Sequence, residues 1–276
     1  MTAEAPLRIK EIVDKTTVFF KQKNFSSPRL DAELLISDVL KIKRIDLYLK
    51  FDQPLSEGEV SLCREVVRRR ANGEPVAYIL NKRDFYGFSF YVDPHVLIPR
   101  PETEHLVEEI LLYLNDKEDS RILDLGTGSG CIAISVLKNK PRAQATMVDV
   151  SVGAIEVARR NATDLAVLER CEFKHWNATE TLQAESEGYD VIVANPPYIA
   201  PHDPLLEENV KKFEPAQALF AEDEGLRFIS QWSKSQAPHL KPGGMMIFEI
   251  GASQGPSAKD IFSKLQIFRH PKKQAV

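Results

Sequence analysis

Cysteine is scarce in this 276-residue chain, at three residues, and tryptophan scarcer still, at two. Cys63, Cys131 and Cys171 are odd in number, far apart and without metal-ligand spacing. That argues against a disulfide framework and against a metal site, and it fits a reducing compartment with each thiol as a small core residue. Long apolar runs are missing too, so no segment reads as a membrane span. The first 15 residues carry Glu4, Arg8, Lys10 and Glu11 where a signal peptide would have an apolar stretch, so a cytoplasmic protein is expected. Asn-x-Ser/Thr triplets at Asn24, Asn161 and Asn177 are then incidental. Nor is there an excess of positive charge. With 36 basic against 40 acidic side chains the net charge is −4, which gives no general attraction to nucleic acid or to an anionic membrane. Repeats and low-complexity tracts are also lacking. What remains, 43% apolar and 28% charged, suits one large domain with a smaller partner.

Residues 7 to about 73 read as helical. Leu7, Ile9, Ile12, Val13, Phe19 and Phe20 recur near helical spacing. Ser27-Pro28 supplies an N-cap and a first-turn proline before the stripe Leu30, Leu34, Leu35 and Val39. Ile42 to Phe51 is a shorter candidate, and Ser56-Glu57-Gly58-Glu59 has capping-box spacing before a helix that stops at Asn72-Gly73. Arg68-Arg69-Arg70 reads as a solvated helix face in preference to a partner-binding patch. Residues 1–74 are therefore expected to form a small helical bundle. From Val76 to Ile98 aromatic residues crowd around Gly87, so residues 75–98 are expected to be a β-hairpin linker.

Residues 99–276 alternate strand and helix, as a parallel sheet covered on both faces would. Ile122-Leu123-Asp124-Leu125, Gln144 to Val148, Glu172 to Trp176, Tyr189 to Ala194 and Met245 to Ile250 are the expected strands. Cys131 to Leu137, Ser151 to Arg160, a segment around Phe228 and Trp232, and Ser257 to Leu265 are the expected helices. Ile199 to Glu222 reads as a long loop and Lys241-Pro242-Gly243-Gly244 as a turn. The fold class is α/β: a Rossmann-like, mainly parallel sheet preceded by the bundle and hairpin.

Two stretches carry chemistry. Gly126-Thr127-Gly128-Ser129-Gly130 follows one strand and opens a helix, so a ligand can approach the backbone closely. A dinucleotide fingerprint would need its third glycine at Cys131, which disfavours a pyrophosphate. Asp149 ends the next strand, where an acid accepts hydrogen bonds from a ribose diol or simply caps a turn. Glycine turn and acid together favour a nucleoside ligand. Trp176 suits either stacking on a purine or filling the core, and His175 beside it reads as structural. The second stretch is Asn195-Pro196-Pro197-Tyr198. Two prolines end the strand in a stiff turn, and the Asn195 carboxamide oxygen and Pro196 carbonyl offer two acceptors for the N–H bonds of a planar NH₂ group. Tyr198 can cover its face. Such a site positions a weak nucleophile and offers no obvious base.

These features resemble the class I S-adenosylmethionine-dependent methyltransferases that modify exocyclic or amide nitrogens. With Ile98-Pro99-Arg100-Pro101-Glu102-Thr103-Glu104, Glu214-Pro215, Ala218-Leu219, and Phe248-Glu249-Ile250-Gly251 with Gln254, the chain resembles the peptide chain release factor glutamine methyltransferases over nearly its whole length. The resemblance implies methylation of the Gly-Gly-Gln glutamine of class I release factors at its side-chain nitrogen. It implies S-adenosyl-L-methionine held by Gly126, Thr127, Gly128, Ser129, Gly130, Asp149, Trp176 and Asn195, with S-adenosyl-L-homocysteine as product. Asn195, Pro196, Pro197 and Tyr198 would hold the glutamine, with Asn195, Pro196 and Tyr198 catalytic. The bundle would dock the release factor, and Arg100 to Glu104 would lie near the site's mouth. A glutamine of a ribosomal protein, or the N6 of DNA adenine, would suit the same chemistry, and the acidic balance counts against DNA. A nucleoside-binding module without catalysis is the non-enzymatic alternative. Two features depart from the family pattern. His175 stands where related enzymes often carry an acid near the adenine. After Ile267-Phe268-Arg269 the chain ends at Val276, where a closing antiparallel strand is expected, so the last sheet edge is expected to be incomplete.

Overall fold

The computed structural model describes residues 6–117, 119–181, 188–204 and 206–265, which fall into two compact units, Met1–Lys82 and Arg83–Val276. The tail residues whose edge strand was in question lie outside the described residues.

The first unit holds α1 (Ile9–Gln22), α2 (Pro28–Val39), α3 (Asp46–Leu49), α4 (Glu57–Ala71) and α5 (Val76–Leu80). Ile9, Ile12, Val13 and Phe20 form the buried stripe of α1, while Phe19 is partly exposed. Pro28 opens α2 as expected, but Ser27 makes no side-chain cap. The capping box of α4 is complete: Glu59 N–H donates to Ser56 Oγ, and Ser56 N–H donates to Glu59 Oε2. The three arginines are neither a free patch nor a bare solvated face. Arg68 pairs with Glu65, Arg69 with Glu74, and Arg70 with Asp31 while stacking on Phe25. The expected ribbon begins later than its aromatic content suggested. Val76–Leu80 is helical, because Ile79 packs with Phe20, Ala32 and Leu35 in the bundle core, and tertiary packing overrides the β propensity of the stretch.

In the second unit β1 (Arg83–Phe85) and β2 (Phe88–Phe90) pair antiparallel across Tyr86-Gly87. Both turn residues have positive φ, 49° and 76°, as a type I′ hairpin demands. A one-turn 3₁₀ segment, Pro101–Thr103, leads into α6 (Glu104–Tyr113), and Glu104 accepts the Tyr86 amide.

Five parallel strands follow: β3 (Arg121–Leu125), β4 (Gln144–Asp149), β5 (Cys171–His175), β6 (Tyr189–Ala194) and β7 (Leu240–Phe248), in the order β5-β4-β3-β6-β7. The helices α7 (Cys131–Asn139), α8 (Val152–Asp164), α11 (Arg227–Gln236) and α12 (Gly255–Ser263) accompany them. Strand β7 begins earlier than expected. Leu240 already pairs with Tyr189, and Lys241-Pro242-Gly243-Gly244 bulges out before Met245 pairs with Val191. The presumed loop after β6 is likewise partly helical, holding α9 (Glu208–Phe213) and α10 (Ala216–Leu219).

The sheet runs from β3 towards β4 on one side and from β6 towards β7 on the other, so β3 and β6 flank its switch point. Ligands of open α/β sheets bind outside the carboxyl ends of the strands at such a point. Leu125 lies opposite Ala194, so the glycine turn and the Asn195 turn leave neighbouring strands at the same level.

Candidate active site

The glycine turn is built by backbone geometry. Gly126, Gly128 and Gly130 have φ of 66°, 54° and 79°, where residues with a Cβ are disfavoured. A Cβ at Gly126 would approach Trp232 to 2.9 Å, whereas at Gly128 the nearest atom is Gly126's own carbonyl at 4.0 Å. Gly128 therefore faces open space. At Gly130 a Cβ would strike Ile134 and Met147 at 2.7 Å, so the smallness of this residue also serves core packing behind the turn.

Asp149 accepts from the amides of Gly128 (3.0 Å) and Ser151 (2.9 Å), which joins the end of β4 to the glycine turn. Burial raises its pKa above the usual carboxylate value, against the pull of those amides. Behind the turn Asp124, fully buried, accepts from the Thr127 hydroxyl at 2.7 Å and is pushed up to about 7 by burial. Asn161, read only as an incidental triplet, is buried and donates to the carbonyls of Ser129 and Tyr91 while accepting the Tyr91 amide.

A cavity of about 870 Å³ opens over this turn. Gly126, Thr127, Gly128, Ser129, Asp149, Trp176, Asn195 and Pro197 line it, together with Thr103, from the stretch expected near the site's mouth, and Phe228 and Trp232, which the sequence marks only as part of a helix. His175 instead points its ring at the Val150 carbonyl, 2.9 Å away, and is not among the lining residues. A second cavity of about 430 Å³ is lined by Asn195, Pro196 and Tyr198. Both cavities are bordered by Asn195, Leu97 and Arg100. Asn195 thus stands where two spaces meet.

Three distant segments converge on it. The Asn195 amide nitrogen donates to Thr103 Oγ1 at 3.1 Å. Thr103, itself buried, donates to Glu249 Oε2 at 2.7 Å, and the Tyr198 hydroxyl donates to Glu249 Oε1 at 3.0 Å. Glu249 follows β7, and its amide bonds the carbonyl of Ala194. Burial raises the pKa of Glu249, while hydrogen bonds from Thr103, Tyr198 and Asn195 hold it down. Tyr198, raised by burial and by Glu249, stays a protonated donor. Its hydroxyl is therefore tied to the protein, a role the expectation of a simple covering ring had not included. The remaining motif residues brace this centre. Glu214, buried, accepts from the Ile98 amide and the Arg100 guanidinium, and Gln254 donates to the carbonyls of Tyr198 and Glu224.

Known proteins resemble this chain over both of its parts. The family described as "PrmC N-terminal domain" matches residues 11–80, and "Methyltransferase small domain" matches residues 104–254. A release factor glutamine methyltransferase of Chlorobaculum tepidum is 38% identical over 98% of this chain and 95% of its own length. That of Rhodopirellula baltica is 38% identical over 90% and 85%, and that of Neisseria gonorrhoeae 39% over 86% and 85%. Among solved structures, the hMettl16 catalytic domain in complex with MAT2A 3'UTR hairpin 6 superposes with a TM-score of 0.51 at 15% identity, over 72% of this chain and 73% of that one, a likeness of fold alone. Full-length identity of this order, carried by both domains, means that the chain belongs to the release factor glutamine methyltransferase family.

Proposed function

We propose that the protein methylates the side-chain amide nitrogen of the glutamine in the Gly-Gly-Gln motif of class I peptide chain release factors, using S-adenosyl-L-methionine. The observation that carries this reading is the placement of a ligand-accommodating glycine turn and an amide-accepting Asn-Pro-Pro-Tyr turn side by side at the sheet's switch point. The full-length relatives support the choice of acceptor.

The residues over the glycine turn fit the cofactor. The space in front of Gly128 and the half-buried Asp149 suit a nucleoside, and a cavity of about 870 Å³ is in the range of cofactor sites. Gly126, Thr127, Gly128, Ser129, Asp149 and Trp176 would hold it. When bound, S-adenosylmethionine supplies an electrophilic methyl carbon and leaves as S-adenosylhomocysteine. The chain's own contribution is to hold the acceptor. The Asn195 carboxamide oxygen and the Pro196 carbonyl accept the two amide N–H bonds of the glutamine, and the Pro197-Tyr198 turn keeps them rigid. An amide nitrogen that has gained a carbon is strongly acidic, so loss of its proton needs no dedicated base. The helical unit of residues 1–82 docks the release factor, residues 83–276 carry out the transfer, and the work is done in the cytoplasm where release factors act.

The test is methyl incorporation from labelled cofactor into purified release factor, ribosomal protein and DNA, presented separately. Label in the release factor alone, lost when its motif glutamine is changed, is the expected result. Label in ribosomal protein or DNA with none in the release factor would overturn the reading.

A further inference from the structure

We infer that Thr103 and Glu249 are positioning residues for the methyl transfer: they fix which end of the Asn195 carboxamide faces the acceptor. The inference rests on the reading of Asn195 as the acceptor-holding residue and deepens it.

The available protons decide the orientation. Asparagine presents a donor NH₂ at one end and an acceptor oxygen at the other, and rotating its amide by half a turn exchanges them. Only one orientation can accept an N–H from a substrate amide. Thr103 has a single hydroxyl proton, and it goes to Glu249 Oε2 at 2.7 Å. The Thr103 oxygen can then only accept from Asn195, and the donor 3.1 Å away must be the amide nitrogen. The carboxamide oxygen is left for the acceptor. Glu249 is in turn fixed by the Tyr198 hydroxyl on its other oxygen and by its backbone bond to Ala194. A chain therefore runs from a carboxylate through a hydroxyl to an amide, every donor pointing towards the carboxylate. Hydrogen bonds in series polarise one another, so an ionised Glu249 also makes the Asn195 oxygen a better acceptor.

An unionised Glu249 would break this logic. Its own proton could be donated to Thr103, releasing the threonine proton towards Asn195 and favouring the wrong amide orientation. The groups that bear on its charge are Glu102 and burial, which favour protonation, and Thr103, Tyr198 and Asn195, which oppose it. Arg100 bears on Tyr198, and Cys131 is a buried thiol near enough to feel Glu249.

The test compares Thr103→Val, Thr103→Ser and Glu249→Gln with wild type on intact release factor. It reads kcat, KM, cofactor affinity, melting temperature and the pH profile of kcat. Thr103→Val and Glu249→Gln should each lower kcat by about tenfold or more, the loss of a charge-assisted hydrogen-bond relay, with cofactor affinity within about twofold of wild type. Thr103→Ser should restore most of the rate, since the hydroxyl and not the methyl is needed. The acid limb of the wild-type kcat profile should vanish in Glu249→Gln. The two changes combined should cost little more than either alone, because they interrupt one chain. Retention of wild-type kcat by Thr103→Val, or an equal loss in Thr103→Ser, would overturn the inference. So would losses that follow the melting temperature and cofactor affinity. If wild type itself fails to methylate release factor, the functional reading falls; if wild type is active and Thr103→Val is too, only the inference does.

Discussion

Asp124 shows how a single buried side chain couples the site to pH. Its carboxyl is fully buried beneath the glycine turn, and burial moves its pKa from 3.8 to about 7. A carboxyl whose folded pKa is raised binds more protons in the folded state than in the unfolded one between those values. Its contribution to stability is thus complete below 3.8 and is lost as pH rises towards about 7. The slope reaches at most about 1.4 kcal/mol per pH unit. Asp124→Asn should therefore gain stability relative to wild type as unfolding is measured at pH 5 and then at pH 7. Parallel pH dependences would show that Asp124 does not titrate in this window. Asn195→Ala, in contrast, removes the amide at the meeting of the two cavities and should abolish transfer while cofactor affinity, read by calorimetry, changes by less than about threefold. The place of Asn195 at a strand end beside the glycine turn was legible from the buried strand before it and the two prolines after it. Thr103 and Glu249 lie in stretches that carry the family resemblance, but their partners are not legible there, and Asp124 reads only as part of a strand, because a threonine after a proline-bearing segment and an acid near a strand end have many ordinary uses. Only the fold shows that residues 92 positions apart in the chain meet.

The turns after β6 and β7 and the segment around Glu224 are tied together, and Gln254 is the fastener. It lies just ahead of α12, and its side chain donates to the carbonyls of Tyr198 and Glu224 while accepting the amide of Gly251. The chain at Asp223-Glu224-Gly225 is left-handed at all three residues, and a Cβ on Gly225 would fall 2.0 Å from the Tyr198 carbonyl. Such a conformation persists only where the surroundings over-determine it. Gln254→Leu should destabilise the protein by about 1–2 kcal/mol, since the half-buried Tyr198 carbonyl and the Glu224 carbonyl both lose a donor. It should also lower kcat by more than it weakens cofactor binding, because the Tyr198 turn is released while the glycine turn is not; urea unfolding and steady-state kinetics read the two effects. The buried parallel strands were legible because their apolar runs are short and bounded by turn residues, and β6 falls where the apolar run Tyr189 to Ala194 puts it. Strand β7 was misjudged at its start because Lys241-Pro242-Gly243-Gly244 carries every local mark of a turn, and only pairing of Leu240 with Tyr189 extends the strand across it. Helix α5 was missed for the converse reason: Val, Tyr and Ile favour strands locally, and the bundle core decides otherwise.

The two units have separate hydrophobic cores. Leu7, Ile9, Ile36, Leu47 and Cys63 pack in one cluster and Phe20, Leu35 and Ile79 in another, all before residue 83. The two clusters of the second unit, one around Ile122, Ile134 and Val193 and one around Leu125, Ile192 and Trp232, draw on no residue before Phe85. A unit with its own core can in principle fold alone. The glycine turn, Asp149, the Asn195 turn, Thr103 and Glu249 all belong to the second unit. Residues 83–276 produced by themselves should therefore show cooperative unfolding and bind S-adenosylmethionine within about threefold of the full chain, since no residue lining the large cavity has been removed. Methylation of intact release factor should fall much further, in KM first, if the helical unit supplies docking energy remote from the reacting nitrogen as proposed. A short peptide carrying the Gly-Gly-Gln sequence should be methylated with nearly equal efficiency by both forms, having nothing to offer a docking unit. If the truncated protein methylates intact release factor as well as the full chain does, residues 1–82 have some other purpose. If it loses the peptide reaction as well while remaining folded, the helical unit contributes to catalysis itself.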